Sequence, residues 1–84
     1  MPPPLINMRE TGANLRRIMD MRDFTVKDVQ EYLGLSCVQS VYRWIKGATM
    51  PSVDNLYALS ELLQVPMDAL VRGNRVLRTQ ETLP

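Results

Sequence analysis

Three side chains between residues 39 and 43 have the chemistry needed to recognise the edges of nucleic-acid bases. They are Gln39, Ser40 and Arg43. A glutamine amide forms two hydrogen bonds with adenine, an arginine guanidinium does the same with guanine, and a serine hydroxyl bonds to either base. Each well-placed pair of this kind discriminates between bases by ~1–3 kcal/mol. Residues of these types can form a base-reading surface, provided that one element presents all three side chains.

A second set of side chains is suited to phosphate, where contacts add affinity without sequence information. We expect this set to comprise Tyr42, Lys46, Thr49, Thr25 and Arg17. For Arg43, Lys46 and Arg17 the alternative is an ordinary solvated helix face. For Tyr42 the alternatives are stacking and packing against Leu35. For Gln39 the alternative is a structural role in capping a helix. The chemistry is therefore informative only if these residues share a surface.

Apolar residues at helical spacing predict a helix through the segment that holds the base-reading residues. The apolar positions of this segment are Val38, Val41, Trp44 and Ile45. Their period is that of a buried helix face, which leaves the polar residues on the outer surface. Ser36 and Gln39 have the spacing of a capping box, so we expect the helix to run from about Cys37 to Lys46.

Four further helices are expected from the same periodicity, and no strand-like alternation appears. The first begins at Thr11 or Asn14. The second follows a cap at Thr25 and ends at Gly34, because glycine readily adopts the positive φ of a helix end. A fourth follows a cap at Ser52, and a short fifth lies near residues 67 to 71. Their expected buried residues are Leu15, Ile18, Met19, Val26, Val29, Leu33, Val53, Leu56, Leu59, Leu62, Leu63, Met67, Leu70 and Val71.

The helices are expected to form one all-α domain over residues 11 to 71. Three successive prolines indicate a flexible arm over residues 1 to 10, and residues 72 to 84 form a polar tail. The 84 residues, 45% of them hydrophobic, are enough for one core. Because the sequence has neither a signal peptide nor an 18-residue apolar run, we expect a cytoplasmic protein.

Composition argues against catalysis and against a structural metal. The chain has no histidine and a single cysteine, Cys37, so the usual zinc ligands are lacking. No nucleophile is paired with a base, and we expect neither an enzyme nor a bound cofactor. The net charge is only +1, but no acid lies between Glu31 and Asp54 whereas Arg43 and Lys46 do. This stretch is therefore locally positive.

In this order, the features resemble the phage repressor, Cro and Xre-type family of helix-turn-helix regulators over roughly residues 12 to 71. The resemblance rests on TVKDVQEYLGLSCVQSVYRWIKGATMP from residue 25, followed by SVDNLYALSELLQVPMDAL. The matching positions are Gly34, Val41, Trp44, Gly47, Pro51, Ser52, Val65 and Asp68. The resemblance implies a compact five-helix bundle of the lambda-repressor-like type with helix 37–46 in the major groove of double-stranded DNA. It also implies a transcriptional repressor that binds pseudo-palindromic sites as a homodimer.

Two features depart from the family pattern. Val26 stands where the family usually carries a polar residue that helps to hold a phosphate. The segment from Gly34 to Gly47 is one residue longer than the commonest family spacing, so either the start of the recognition helix is shifted or the turn is enlarged.

The same fold also serves proteins that bind other proteins. A protein-binding adaptor, or an antitoxin that binds both DNA and a toxin, is therefore an alternative to a dedicated DNA-binding regulator. In a homodimer, the expected contacts come from the end of the domain and the tail, at Leu70, Val71, Val76 and Leu77.

Overall fold

A computed structural model describes residues 2–75 of the 84-residue chain. This part contains no strand and folds into five α-helices, which confirms the expected all-α architecture. The helices are α1 (Met8–Met21), α2 (Val26–Leu33), α3 (Gln39–Lys46), α4 (Val53–Leu63) and α5 (Met67–Leu70). None of them has the length and apolar character needed to span a bilayer.

Every helix contributes to one hydrophobic core. Its buried residues are Leu15, Ile18, Met19, Val26, Val29, Val41, Trp44, Leu59, Leu63 and Leu70. Because α3 packs against both α1 and α2, its orientation is fixed by the core and not by the flanking turns alone.

The caps of α2 and α4 are those that the sequence predicts. The Asp28 N–H donates to Thr25 Oγ1 over 3.1 Å, and the Thr25 N–H donates to Asp28 Oδ2 over 2.8 Å, which completes a capping box. Gly34 ends α2 with φ 70°. At α4, the Asn55 N–H donates to Ser52 Oγ over 3.1 Å.

The predicted starts of α1 and α3 are wrong. α1 begins at Met8 because Asn7 caps it, accepting a 2.9 Å hydrogen bond from the Glu10 N–H. α3 begins at Gln39 and not near Cys37, since Ser36 forms no cap and Val38 is the N-cap without a side-chain hydrogen bond. Residues 34–38 thus separate α2 from α3.

One residue predicted to be buried is exposed, and one predicted dimer contact lies in the core. Val53 is 71% exposed and lies outside the core that α4 forms with its other leucines. Leu70 is 1% exposed, so it belongs to the core of the protein and offers no surface for a dimer. Val71 is half-buried, whereas Val76 and Leu77 lie outside the described residues.

A polar cluster joins α1 to the segment that follows α5; we call this cluster, formed by Thr11, Asn14 and residues 69–72, the latch. The buried Asn14 amide donates to the carbonyls of Ala69 and Leu70 over 2.8 Å and 3.1 Å. The Arg72 N–H donates to Thr11 Oγ1 over 2.9 Å, and Thr11 Oγ1 donates back to the Arg72 carbonyl over 3.1 Å. The latch therefore satisfies polar groups that lie more than fifty residues apart in sequence.

Residues before α1 continue this contact. The Asn7 N–H donates to the Arg72 carbonyl over 2.8 Å, and Ile6 pairs with Gly73 in an isolated antiparallel bridge. The Asn74 N–H donates to the Leu5 carbonyl over 3.1 Å. Residues 5 to 7 consequently lie against residues 72 to 74.

Candidate nucleic-acid interface

The inner face of α3 is held by close packing. Val41 is fully buried and Trp44 is 7% exposed. A Cβ atom added to Gly12 of α1 would overlap the carbonyl oxygens of Trp44 and Ile45. Only glycine therefore permits this approach of α1, which fixes the last turn of α3 against the domain.

The opposite face of α3 carries polar side chains in register. Gln39, Arg43 and Lys46 are all exposed, and their spacing of four and three residues places them on one side of the helix. Ser40 is half-buried beside them, and Tyr42 is 45% exposed on a flank. The structure thus brings the predicted base-reading residues together on one short helix.

The charge of this face is uncompensated. α3 contains no acidic residue, and Arg43 and Lys46 lie in its last turn, where the helix dipole favours cations. Among residues 2–75 neither side chain forms an ion pair, whereas Lys27 of α2 pairs with Glu31. Arg43 and Lys46 are therefore available to an anionic ligand.

Thr49 extends this surface into the loop between α3 and α4. It is half-buried, and its N–H donates to the Arg43 carbonyl over 3.4 Å. The Ala48 N–H donates to the same carbonyl over 2.9 Å, after Gly47 turns the chain with φ 78°. The loop is thereby fixed to the end of α3, and Thr49 follows Lys46 by three residues.

Thr25 occupies a less favourable environment for phosphate. Its hydroxyl already serves the capping box of α2, although the residue is exposed. Hydrogen bonds from the Thr25 backbone N–H and then from its side chain lower the pKa of Asp28 below the usual 3.8. The persistent negative charge of Asp28 opposes an anion at this helix end. Val26, next to it, is buried and serves only the core.

Arg17 does not join the residues of α3. Its guanidinium donates to Asn14 Oδ1 over 2.8 Å. Arg17 also lines a pocket whose other residues lie in and after α5, among them Asp68, Arg72 and Arg75. The structure thus places Arg17 beside the latch, so it is not part of the surface that Arg43 and Lys46 form.

Arg9 is a cation near α3 that the sequence patterns did not indicate. A Cβ atom placed on Gly47 would lie 2.6 Å from Arg9 Cα and 3.0 Å from its Cγ, so the Arg9 stem crosses the residue after Lys46. Arg9 is exposed and forms no ion pair within residues 2–75. The contact joins residues 38 positions apart, and no local spacing rule detects it.

Comparison with known proteins assigns the family of this chain. Residues 15–70 match the model of a helix-turn-helix family, so the chain belongs to that family, of the Xre and lambda-repressor type. The expected family is thus confirmed. Membership supports the general function that we expected, that of a DNA-binding transcription regulator. No curated protein matches the sequence significantly.

A solved structure with a similar fold is the crystal structure of the DNA-binding domain of BldD. The two chains superpose with a TM-score of 0.65 at 22% sequence identity, and the similarity covers 79% of this chain and 94% of that one. This likeness supports the arrangement of the five helices.

Proposed function

We propose that this protein recognises a specific double-stranded DNA sequence by placing α3 in the major groove. The carrying observation is the exposed face of α3, where Gln39, Arg43 and Lys46 lie in register with no acid on the helix. A helix of about 10–12 Å diameter fits the major groove, where each base pair has a distinct hydrogen-bonding pattern.

The side chains of this surface divide into two roles. Gln39, Ser40 and Arg43 contact base edges, because their hydrogen-bonding groups match adenine and guanine. The phosphate contacts come from Tyr42, Lys46, Thr49 and Arg9, which surround α3 on its flank, at its end and in the following loop. Thr25 is a weaker phosphate contact because Asp28 lies beside it.

We further propose a homodimer that binds two half-sites about one helical turn apart and represses transcription. Repression follows if the bound site overlaps a promoter, because the bound protein then excludes the polymerase. Sedimentation of the protein with and without a duplex that carries two half-sites tests the dimer. A reporter gene placed behind the selected site tests the direction of regulation.

Substitutions of Arg43 and Lys46 test the division of roles. Lys46→Ala should weaken binding to all sequences and reduce the salt slope by about 1, whereas Arg43→Ala should relax the preference at one base pair by ~1–3 kcal/mol. Lys27→Ala is the matched control, because Lys27 pairs with Glu31 on α2. Sequence-independent losses of equal size from Arg43→Ala and Lys46→Ala would exclude Arg43 as a base reader.

Arg9→Ala tests the contact that the fold adds to the motif. We expect the same sequence-independent loss and flatter salt dependence as for Lys46→Ala. Arg16→Ala is its control on α1, because Arg16 pairs with Asp20 over 3.5 Å. Unchanged affinity of the Arg9 variant would remove Arg9 from the interface.

One observation favours the protein-binding alternative. Val53 and Tyr57 are each 71% exposed and lie four residues apart on one face of α4. If an adaptor or antitoxin role predominates, Tyr57→Ser should abolish a protein contact and leave DNA affinity unchanged. Specific DNA binding by the purified chain without any other protein favours the regulator.

A further inference from the structure

A pocket of about 370 Å³ beside α5 has an excess of positive charge. Its lining includes Arg17, Arg72 and Arg75, against the carboxylate of Asp68. Arg75 is already neutralised, since its guanidinium donates to both carboxylate oxygens of Asp68 over 2.8 Å and 3.0 Å. The positive charges of Arg17 and Arg72 are therefore not compensated by a carboxylate of this pocket.

The two remaining guanidinium groups converge on one neutral oxygen. Arg17 donates to Asn14 Oδ1 over 2.8 Å, and Arg72 donates to the same oxygen over 3.3 Å. Among residues 2–75, no carboxylate pairs with either side chain. Like charges held this close repel each other, and a bound anion relieves the repulsion.

The latch fixes this pair before any ligand arrives. Asn14 is 6% exposed, and its amide nitrogen is held by the carbonyls of Ala69 and Leu70. The backbone of Arg72 is held on both sides by Thr11 Oγ1. Because the supporting atoms are already ordered, a ligand has less conformational entropy to remove on binding.

We propose that Arg17 and Arg72 form a binding site for the oxyanion group, phosphate or carboxylate, of a small molecule. The planar guanidinium offers paired N–H donors that match both groups, and such charge-assisted hydrogen bonds are the strong ones. Both side chains are exposed at the pocket, so the ligand reaches them from solvent. The site lies beside the latch and is separate from the polar face of α3.

Inorganic phosphate, pyrophosphate and citrate are the probes for this site, titrated at constant ionic strength set with chloride. We expect saturable shifts of the backbone amide resonances of Arg17, Ala69 and Arg72 with at least one probe. Arg17→Gln and Arg72→Gln should each weaken that binding at least tenfold. Arg16→Gln is the matched control on the same helix, and its binding should equal that of the wild type.

Arg17→Lys and Arg72→Lys keep the charge and remove the paired donors, so they report on the site if either glutamine variant fails to fold. An intermediate loss of binding in the lysine variants supports the proposal. Absence of saturable shifts for all three probes overturns it, as does an equal loss in Arg16→Gln. If the probes do not bind while Arg17→Gln and Arg72→Gln reduce DNA affinity, the DNA backbone supplies the phosphate and the small-molecule site is wrong.

Discussion

The helix-turn-helix segment and the latch are stabilised by contacts of very different range. In residues 25–47, the polar contacts that begin α2 and end α3 join residues three to five positions apart. In the latch, the hydrogen bonds of Thr11 and Asn14 span 55 to 61 residues. The first region can therefore be read from local patterns, whereas the second exists only once the chain has folded.

The largest effect is expected from shortening Leu70, the core residue within the latch. Leu70→Ala should lower the free energy of unfolding by about 2–5 kcal/mol, because it removes a fully enclosed side chain and leaves a cavity. Val71→Ala is the neighbouring control and should cost less, since Val71 is half-buried. Urea unfolding at several protein concentrations measures both. If both variants lose equally little free energy of unfolding, and stability depends on protein concentration, Leu70 instead lies in a dimer interface.

The difference in range between the two regions also explains how much of the fold the sequence predicts. Helical periodicity predicted the five helices and the buried Val41 and Trp44, because burial on one face of a helix depends on local spacing alone. The same pattern placed Val53 in the core, since periodicity does not tell how far a buried face extends. It also placed the start of α3 too early, because Ser36 has the spacing of a cap but forms no cap in the structure.

Removing the hydrogen bonds of the latch should cost less than shortening its core residue. Asn14→Ala should destabilise the protein by about 1–3 kcal/mol, the range for leaving buried hydrogen-bonding groups without partners. Asn55→Ala tests the same chemical change on α4, where the side chain forms no hydrogen bond with other described residues, and should have little effect. Thermal unfolding distinguishes the two variants. Equal melting temperatures would show that the latch contributes nothing to stability.

For the helix-turn-helix segment, the loss of a cap is the corresponding change. Thr25→Ala should cost about 1 kcal/mol, because the Asp28 N–H loses its acceptor. Thr49→Ala is the control, since the Thr49 side chain forms no hydrogen bond within residues 2–75. A Thr25→Ala loss larger than that of Asn14→Ala would reverse the order of the two regions.

The smallest effect is a pH dependence at the same cap. Because hydrogen bonds from Thr25 hold the folded-state pKa of Asp28 below 3.8, the ionised carboxylate stabilises the native protein above that pH. This contribution should disappear as the pH falls through the folded-state pKa. The stability difference between wild type and Asp28→Asn should therefore shrink on acidification below about pH 4, as measured by urea unfolding. A difference independent of pH would rule out this role.

Unlike the caps, Arg9 and the Arg17–Arg72 pair could not be assigned from the sequence. Arg9 reaches the end of α3 only because Gly47 lets α1 approach closely. Arg17 was expected to contact phosphate together with α3. Its guanidinium instead shares the Asn14 side-chain oxygen with Arg72. Helical spacing explains ion pairs within one helix, such as Arg16–Asp20, but contacts between different elements depend on how the helices pack.

The most direct test of the account is selection of random duplexes by the purified protein at near-physiological salt, followed by titration of the selected site against scrambled DNA. We predict an enriched pseudo-palindrome bound at least a thousandfold more tightly than the scrambled duplex, which is the range for specific regulators. No enrichment, with only weak and salt-sensitive binding, would contradict the assignment of α3 as a base-reading helix.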